Sequence, residues 1–332
     1  MADTLYIIGN GFDRYHKLDT RYQSFGIFLK ENHSDIYELL INYFGLPSLD
    51  EDDEKSLYDP LWADFESALA ELEFETVLED KADYLANPAS QDFRDRDWHA
   101  YQFEMKAVVD KLTAELCQAF KTFILAVEFP DSIEHYRLQL ERNSLFLNFN
   151  YTDTLERFYH IRHTRILYIH GRAKASAEKI ILGHGIDPKT FEQEKKQPPA
   201  GLNEEELALW REDVADESDF SYASGKSELM SYFYSSFKAT GEVIAKNEPF
   251  FASLSAISQV FVLGHSISPV DQPYFRRVIE AIKDKSIMWH VTYYSEDEFE
   301  PLTRKLLSIG LASEQINLIK MDNLKLTFPE LF

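Results

Sequence analysis

The chain has one cysteine, Cys117, among 332 residues. A lone thiol excludes an internal disulfide and argues against a thiolate metal or redox centre, so Cys117 reads as a buried helix residue. Glycine and proline are also sparse, 12 of each, which argues against long disordered segments. No run approaches 18 uncharged apolar residues, so no membrane-spanning helix is expected. The opening MADTLY places Asp3 before only a handful of apolar residues and reads as neither signal peptide nor anchor; the expectation is a soluble, cytoplasmic protein with no membrane partner. Positive charge is scarce as well. Against 57 acidic residues stand 34 basic ones, a net charge of -23, and such a surface repels phosphate backbones and makes nucleic acid an unexpected partner.

What is present belongs to a folded α/β protein: 45% hydrophobic residues, with 25 Phe and 18 Tyr. Leu5 to Ile8 is an apolar run that stops at Gly9-Asn10-Gly11, and Phe12 to Lys30 then reads as turn and helix. From Ser34 to Phe129 the spacing is helical, as in Trp62, Phe65, Leu69 and Leu72. Strand and helix alternate again after Ser144. Strands are expected at Leu145–Phe149, Arg165–Ile169, Lys179–Leu182, Gln259–Leu263, Ile287–Tyr293 and Gln315–Lys320. Helices are expected at Thr152–Arg162, Gln272–Lys283 and Asp297–Ser308, with Leu229, Phe233, Phe237 and Ile244 marking a further long one. This rhythm predicts a mostly parallel, Rossmann-like sheet with helices on both faces. Residues 1–33 and 140–332 would form the nucleotide-binding core, 34–139 a large helical insertion and 188–248 a second, mainly helical one.

Ligands of such sheets bind beyond the carboxyl ends of the strands. The apolar runs end at Gly9-Asn10-Gly11-Phe12-Asp13, Asn148-Phe149-Asn150-Tyr151, His170-Gly171, Gly183-His184-Gly185 and Gly264-His265-Ser266. Small residues carrying Asn, Asp, His or Ser thus recur where a pocket would lie. A glycine turn opening a helix offers backbone N–H groups and a helix dipole to a phosphate. GNGFD nevertheless departs from the G-x-G-x-x-G fingerprint, with Arg14 at the third glycine, and Asn-Gly is also an ordinary turn. Ser224-Gly225-Lys226-Ser227 resembles the end of a phosphate-binding loop, but Phe220 replaces its first glycine and no strand precedes it. His160 and His163 fall near a helix end, where a cation is favourable without any metal, and no ligand set accompanies His170, so no metal is expected. His184 and His265 each read equally as loop residues or as site residues.

Ile8-Gly9-Asn10-Gly11-Phe12-Asp13, with His16, Leu18, Thr20, Tyr22 and Phe25 after it, resembles the opening of the AbiH family of bacterial abortive-infection proteins. Trp62-Ala63-Asp64-Phe65-Glu66, Phe149 to Glu156, Ile169-His170-Gly171, Leu263 to Ser266 and Asp271 continue the likeness in order along the chain. The same order is more remotely similar to sirtuin-like NAD-binding proteins. That likeness implies NAD or a related nucleotide as ligand, with Gly9, Asn10, Gly11, Phe12 and Asp13 at its phosphates and Gly264, His265 and Ser266 on the adenosine side. It implies Asn150, Asp153 and His170 as catalytic residues, His170 being the base. Two departures stand out: GNG replaces the Gly-Ala-Gly type of loop, and Asp153 follows Asn150 by three residues instead of two. The four-cysteine zinc module of sirtuin deacylases cannot be built from one cysteine.

The expected function is therefore phage defence with binding, and cleavage at the nicotinamide–ribose bond, of NAD or a relative. A nucleotide-binding sensor without turnover is the second reading, and a phosphodiester hydrolase the third. A phage or host protein is the expected trigger, and the helical insertion could equally mediate self-assembly into a homo-oligomer.

Overall fold

Every position of β1 (Thr4–Ile8) is buried, as in a strand covered on both faces. Its side chains alternate accordingly. Leu5 and Ile7 pack with Val260, Val262, Tyr274 and Phe275 on one side, while Tyr6 and Ile8 pack with Phe12, Phe146 and Tyr159 on the other. The computed structural model describes residues 3–53, 55–174, 178–192, 203–204, 206–207, 220–282 and 286–325.

The remaining strands are β2 (Leu145–Asn148), β3 (Ile166–Tyr168), β4 (Gln259–Leu263), β5 (Trp289–Tyr293) and β6 (Ile316–Lys320). All pair in parallel in the order β3-β2-β1-β4-β5-β6, with Ile8 opposite both Asn148 and Leu263. This is the doubly wound α/β arrangement, and its strand order reverses between β1 and β4. The Rossmann-like expectation holds. Helices Gln272–Ala281 and Phe299–Ser308 cover one face; Asn10–Tyr15 and Thr154–Tyr159 cover the other.

The stretch between β1 and β2 folds into a helical body with its own aromatic core, in which Phe25, Trp62, Phe65, Tyr101 and Phe120 are fully or almost fully buried. The helix Phe220–Ser235 packs along Ala100–Asp110 and adds Leu229, Tyr232 and Phe233 to the same core. Gly225 lies inside that helix, where a Cβ would come within 2.2 Å of the Tyr101 ring. The Ser-Gly-Lys-Ser sequence is therefore a helix–helix contact.

Three expectations are corrected. The turn and helix read from Phe12 to Lys30 are two helices, Asn10–Tyr15 and Tyr22–Asn32, with the turn between them at Lys17, whose φ is 67°. Lys179–Leu182 pairs with no strand among the described residues, although the Ile181 N–H donates to the His170 carbonyl. The long helix through Leu229 and Ile244 stops at Ser235 and resumes at Thr240, because the intervening residues leave it to pair with His184. Residues 193–202, 205 and 208–219 of the second insertion expected over 188–248 lie outside the described residues.

Candidate functional site

The glycine turn after β1 sits against the turn after β4, backbone on backbone. A Cβ on Gly9 would meet the Cα of His265 at 2.6 Å, and one on Gly11 would meet the Cα of Gly264 at 2.8 Å. Gly264 itself has φ +64° and lies 2.2 Å, from its notional Cβ, to the Phe12 nitrogen. These glycines let the two turns interlock. The Gly9 N–H donates to the Leu263 carbonyl at 2.9 Å and the Gly11 N–H to the Gly264 carbonyl at 2.7 Å. Both amides are thus tied within the protein.

The neighbouring motif residues are anchored too. Asn10 exchanges side-chain hydrogen bonds with Thr20, donating to its carbonyl at 3.0 Å and accepting from its hydroxyl, so it closes the loop that follows the first helix. Asn150 donates to the Gly9 carbonyl at 3.1 Å and joins β2 to the glycine turn. Phe12 is buried in the core beneath the turn. Asp13 is buried and accepts from the Thr152 and Thr154 hydroxyls at 2.6 and 2.7 Å. Asp153, half-exposed at the start of helix Thr154–Tyr159, faces Arg157 at 3.5 Å, so the chain does not bring it to His170. Asp13 is a clamp between the turn after β1 and the loop after β2.

Burial pushes Asp13 up to about 6, against the opposing hydrogen bonds of Thr152, Thr154 and Asn150. A folded-state value above the unfolded one means that the folded chain holds this proton more tightly. The associated stability is complete below pH ~4 and is lost as pH rises through ~6, by about 3 kcal/mol in all. Chemical denaturation of wild type and Asp13→Asn at pH 4 to 7 is expected to show wild type losing ground to the variant across that window. A pH-independent difference would refute the assignment.

The titratable groups converge beside this interlock. Lys238, fully buried, holds both carboxylate oxygens of Glu66 at 2.8 and 2.7 Å. Its Nζ also lies 3.7 Å from Asp271 Oδ1 and 3.5 Å from His170 Nδ1. His170 Nε2 is 3.5 Å from Asp271 Oδ1, and His265 Nε2 is 3.6 Å from Asp271 Oδ2. The first of these is an ion-pair distance without hydrogen-bond geometry. Among the described residues, His170 Nε2, Asp271 Oδ1 and the Tyr274 hydroxyl have no hydrogen-bond partner, although all three are buried. Phe149 packs edge-on against both imidazoles, at 5.3 Å from His170 and 4.4 Å from His265.

Burial, then Lys238, then His265 drive His170 well below the usual imidazole range; burial, Lys238 and Lys305 bring His265 down to about 3. Burial raises the Glu66 and Asp271 carboxyls, with Lys238 pulling the other way. The site therefore joins two neutral imidazoles, an ammonium and two carboxylates in low dielectric, an arrangement able to move a proton. Among the described residues no group of three or more His, Cys, Asp or Glu could hold a metal ion.

Sequence reading found His170 and His265 and quoted Glu66 and Asp271 only as parts of matching blocks. It missed Lys238. His184 is settled by its contacts: its Nε2 faces the Phe233 carbonyl at 3.1 Å, and its Nδ1 accepts from the Ile186 N–H at 3.3 Å, making it a core residue of the helix break. Ser266 is exposed, with its carbonyl accepting from Lys305 at 2.8 Å. Surface clefts of about 280 and 490 Å³ lie on the helical body, away from the sheet rim. No helix among the described residues is long and apolar enough to cross a membrane.

Neither the curated proteins nor the solved structures contain a match to this chain, so the sirtuin-like likeness rests on motif order alone. A family model, Bacteriophage abortive infection AbiH, matches residues 5–293. That span includes both interlocked turns, the Asp13 clamp and all five members of the buried charged group, and the chain belongs to the AbiH family.

Proposed function

We propose that this abortive-infection protein binds NAD or a closely related nucleotide in the crevice outside β1 and β4 and hydrolyses its nicotinamide–ribose bond. The observation that carries the reading is the set of unpartnered, buried polar atoms on His170, Asp271 and Tyr274 at the point where the strand order reverses. Open α/β sheets bind ligands at that point, and a buried polar atom without a protein partner calls for an explanation that a polar ligand would supply. Breaking the bond through an oxocarbenium-like ribose calls for a water, a group to accept its proton and negative charge near the ribose. Glu66, Asp271, His170, His265 and Lys238 supply those functions. With Gly9 and Gly11 tied inward, the phosphates meet the exposed part of the rim at Asn10 and Ser266, beside the cation of Lys305.

Incubation of the full chain with NAD is expected to raise its melting temperature and release free nicotinamide, with Asp271→Asn slowing release by ~10²-fold or more. Absence of both stabilisation and release across NAD, NADP, ADP-ribose and ATP would overturn the proposal. Stabilisation without release would favour the sensor, a reading that the closure of the array by its own side chains supports.

A further inference from the structure

We propose that Asp271 is the acid–base residue of this site, with His170 and His265 each turning a neutral N–H toward its carboxylate. This rests on the proposed hydrolytic reading and names the group that takes the proton. A neutral imidazole carries one N–H, and which nitrogen bears it follows from the partner of the other. The Ile267 backbone N–H donates to His265 Nδ1 at 2.9 Å, so His265 carries its proton on Nε2. His170 Nδ1 faces the Lys238 ammonium at 3.5 Å; an ammonium is a donor only, so His170 also carries its proton on Nε2. Both N–H groups then face one carboxylate, at 3.5 Å for His170 and 3.6 Å for His265. Ser268 adds a hydroxyl to Asp271 Oδ2 at 3.1 Å.

The other carboxylate is already engaged. Glu66 takes Lys238 on both oxygens and is approached by the Tyr22 and Tyr151 hydroxyls. Among the described residues Asp271 Oδ1 has only the loose approaches of His170 and Lys238, and the Tyr274 hydroxyl, without a hydrogen-bond partner among them, is near enough to feel its charge. The groups facing Asp271 are thus Lys238, Glu66, His170, His265, Ser268, Tyr22, Tyr151 and Tyr274. A second proton on His170 Nδ1 would set two cations face to face, and burial opposes it further. Asp271, raised by burial and restrained by Lys238, is the member free to exchange a proton. In the hydrolytic step the water oxygen bonds to the anomeric ribose carbon as the carbon–nitrogen bond breaks. The bonding pair moves onto the pyridinium nitrogen, neutral nicotinamide leaves, and the water's proton passes to Asp271 and then to solvent.

Nitrogen-15 NMR of the histidine-labelled full chain reads the assignment without any turnover. His170 and His265 are expected as neutral Nε2–H tautomers throughout pH 6–8. An imidazolium or an Nδ1–H tautomer at either residue overturns the proposal. Nicotinamide release gives the second readout. Asp271→Asn is expected to lose ~10²-fold or more, formate is expected to restore release in Asp271→Ala, and His170→Gln, which keeps a donor, to stay within about tenfold of wild type. Loss in His170→Gln equal to that in Asp271→Asn, without formate rescue, also overturns it. Wild type that releases no nicotinamide defeats the hydrolytic reading instead, and the tautomers still decide the donor arrangement.

Discussion

Lys238→Met is expected to destabilise the chain by about 3–5 kcal/mol, because it removes a cation lodged between two buried carboxylates. Lys238 is fully buried, and the Glu66 and Asp271 side chains are only 12% and 10% exposed. Methionine fills a similar volume, so the loss is chiefly electrostatic. Glu66 would be left with only hydroxyl partners, and Asp271 with imidazole and hydroxyl donors at their present distances. Charge removal from both ends should be far milder: a Lys238→Met, Glu66→Leu double variant is expected to recover a large part of the loss, since a well-packed apolar pair avoids the desolvation cost altogether. Urea denaturation of wild type, both single variants and the double variant measures the coupling. A Lys238→Met protein as stable as wild type would sink the claim that this lysine neutralises the array.

Gly183→Ala is expected to cost about 3 kcal/mol or more, although it adds one methyl group. Its Cβ would lie 1.8 Å from the Ser236 carbonyl oxygen, a backbone atom with little room to move. The same contact carries two hydrogen bonds, from the His184 N–H to Ser236 at 3.0 Å and from the Lys238 N–H to His184 at 2.8 Å. Overpacking of about 1–3 kcal/mol is therefore joined by lost backbone pairing of about 0.5–1.5 kcal/mol per bond. The strain falls on the segment that holds Lys238, so the array should be disturbed along with stability. Gly241→Ala is the matched control: nothing lies within 4 Å of its notional Cβ, and it sits in helix Thr240–Lys246. Helix propensity favours that alanine by up to ~1 kcal/mol. Equal melting temperatures for the two variants would contradict the packing described here.

The strands were legible because each is a short apolar run bounded by small or polar residues. Gln259–Leu263 was read with its observed bounds, and the Gly264-His265-Ser266 turn after it was placed at the correct end of the sheet. Lys179–Leu182 has the same local appearance and forms no strand, because a strand exists only through a neighbour's backbone, which no local pattern reports. The helix break at residues 236–239 was invisible for a related reason. Phe237 continues the apolar spacing of Leu229 and Phe233, yet it leaves the helix to pair with His184, and helical spacing cannot register a competing partner 53 positions earlier in the chain.

GNGFD marked a glycine-dependent turn correctly, while its partner turned out to be a second turn of the same protein. A missing side chain signals close approach; whether a phosphate or a backbone comes near depends on what the fold places opposite. By itself the amino-acid order determined the alternating α/β plan and the family to which the chain belongs, since period, length and motif order are local or linear properties. Tertiary structure alone decided that Glu66, Lys238, Asp271, His170 and His265 share one buried volume. Their charges interact through space in a low dielectric, and positions separated by up to 205 residues become neighbours only when the helical body closes over the rim of the sheet.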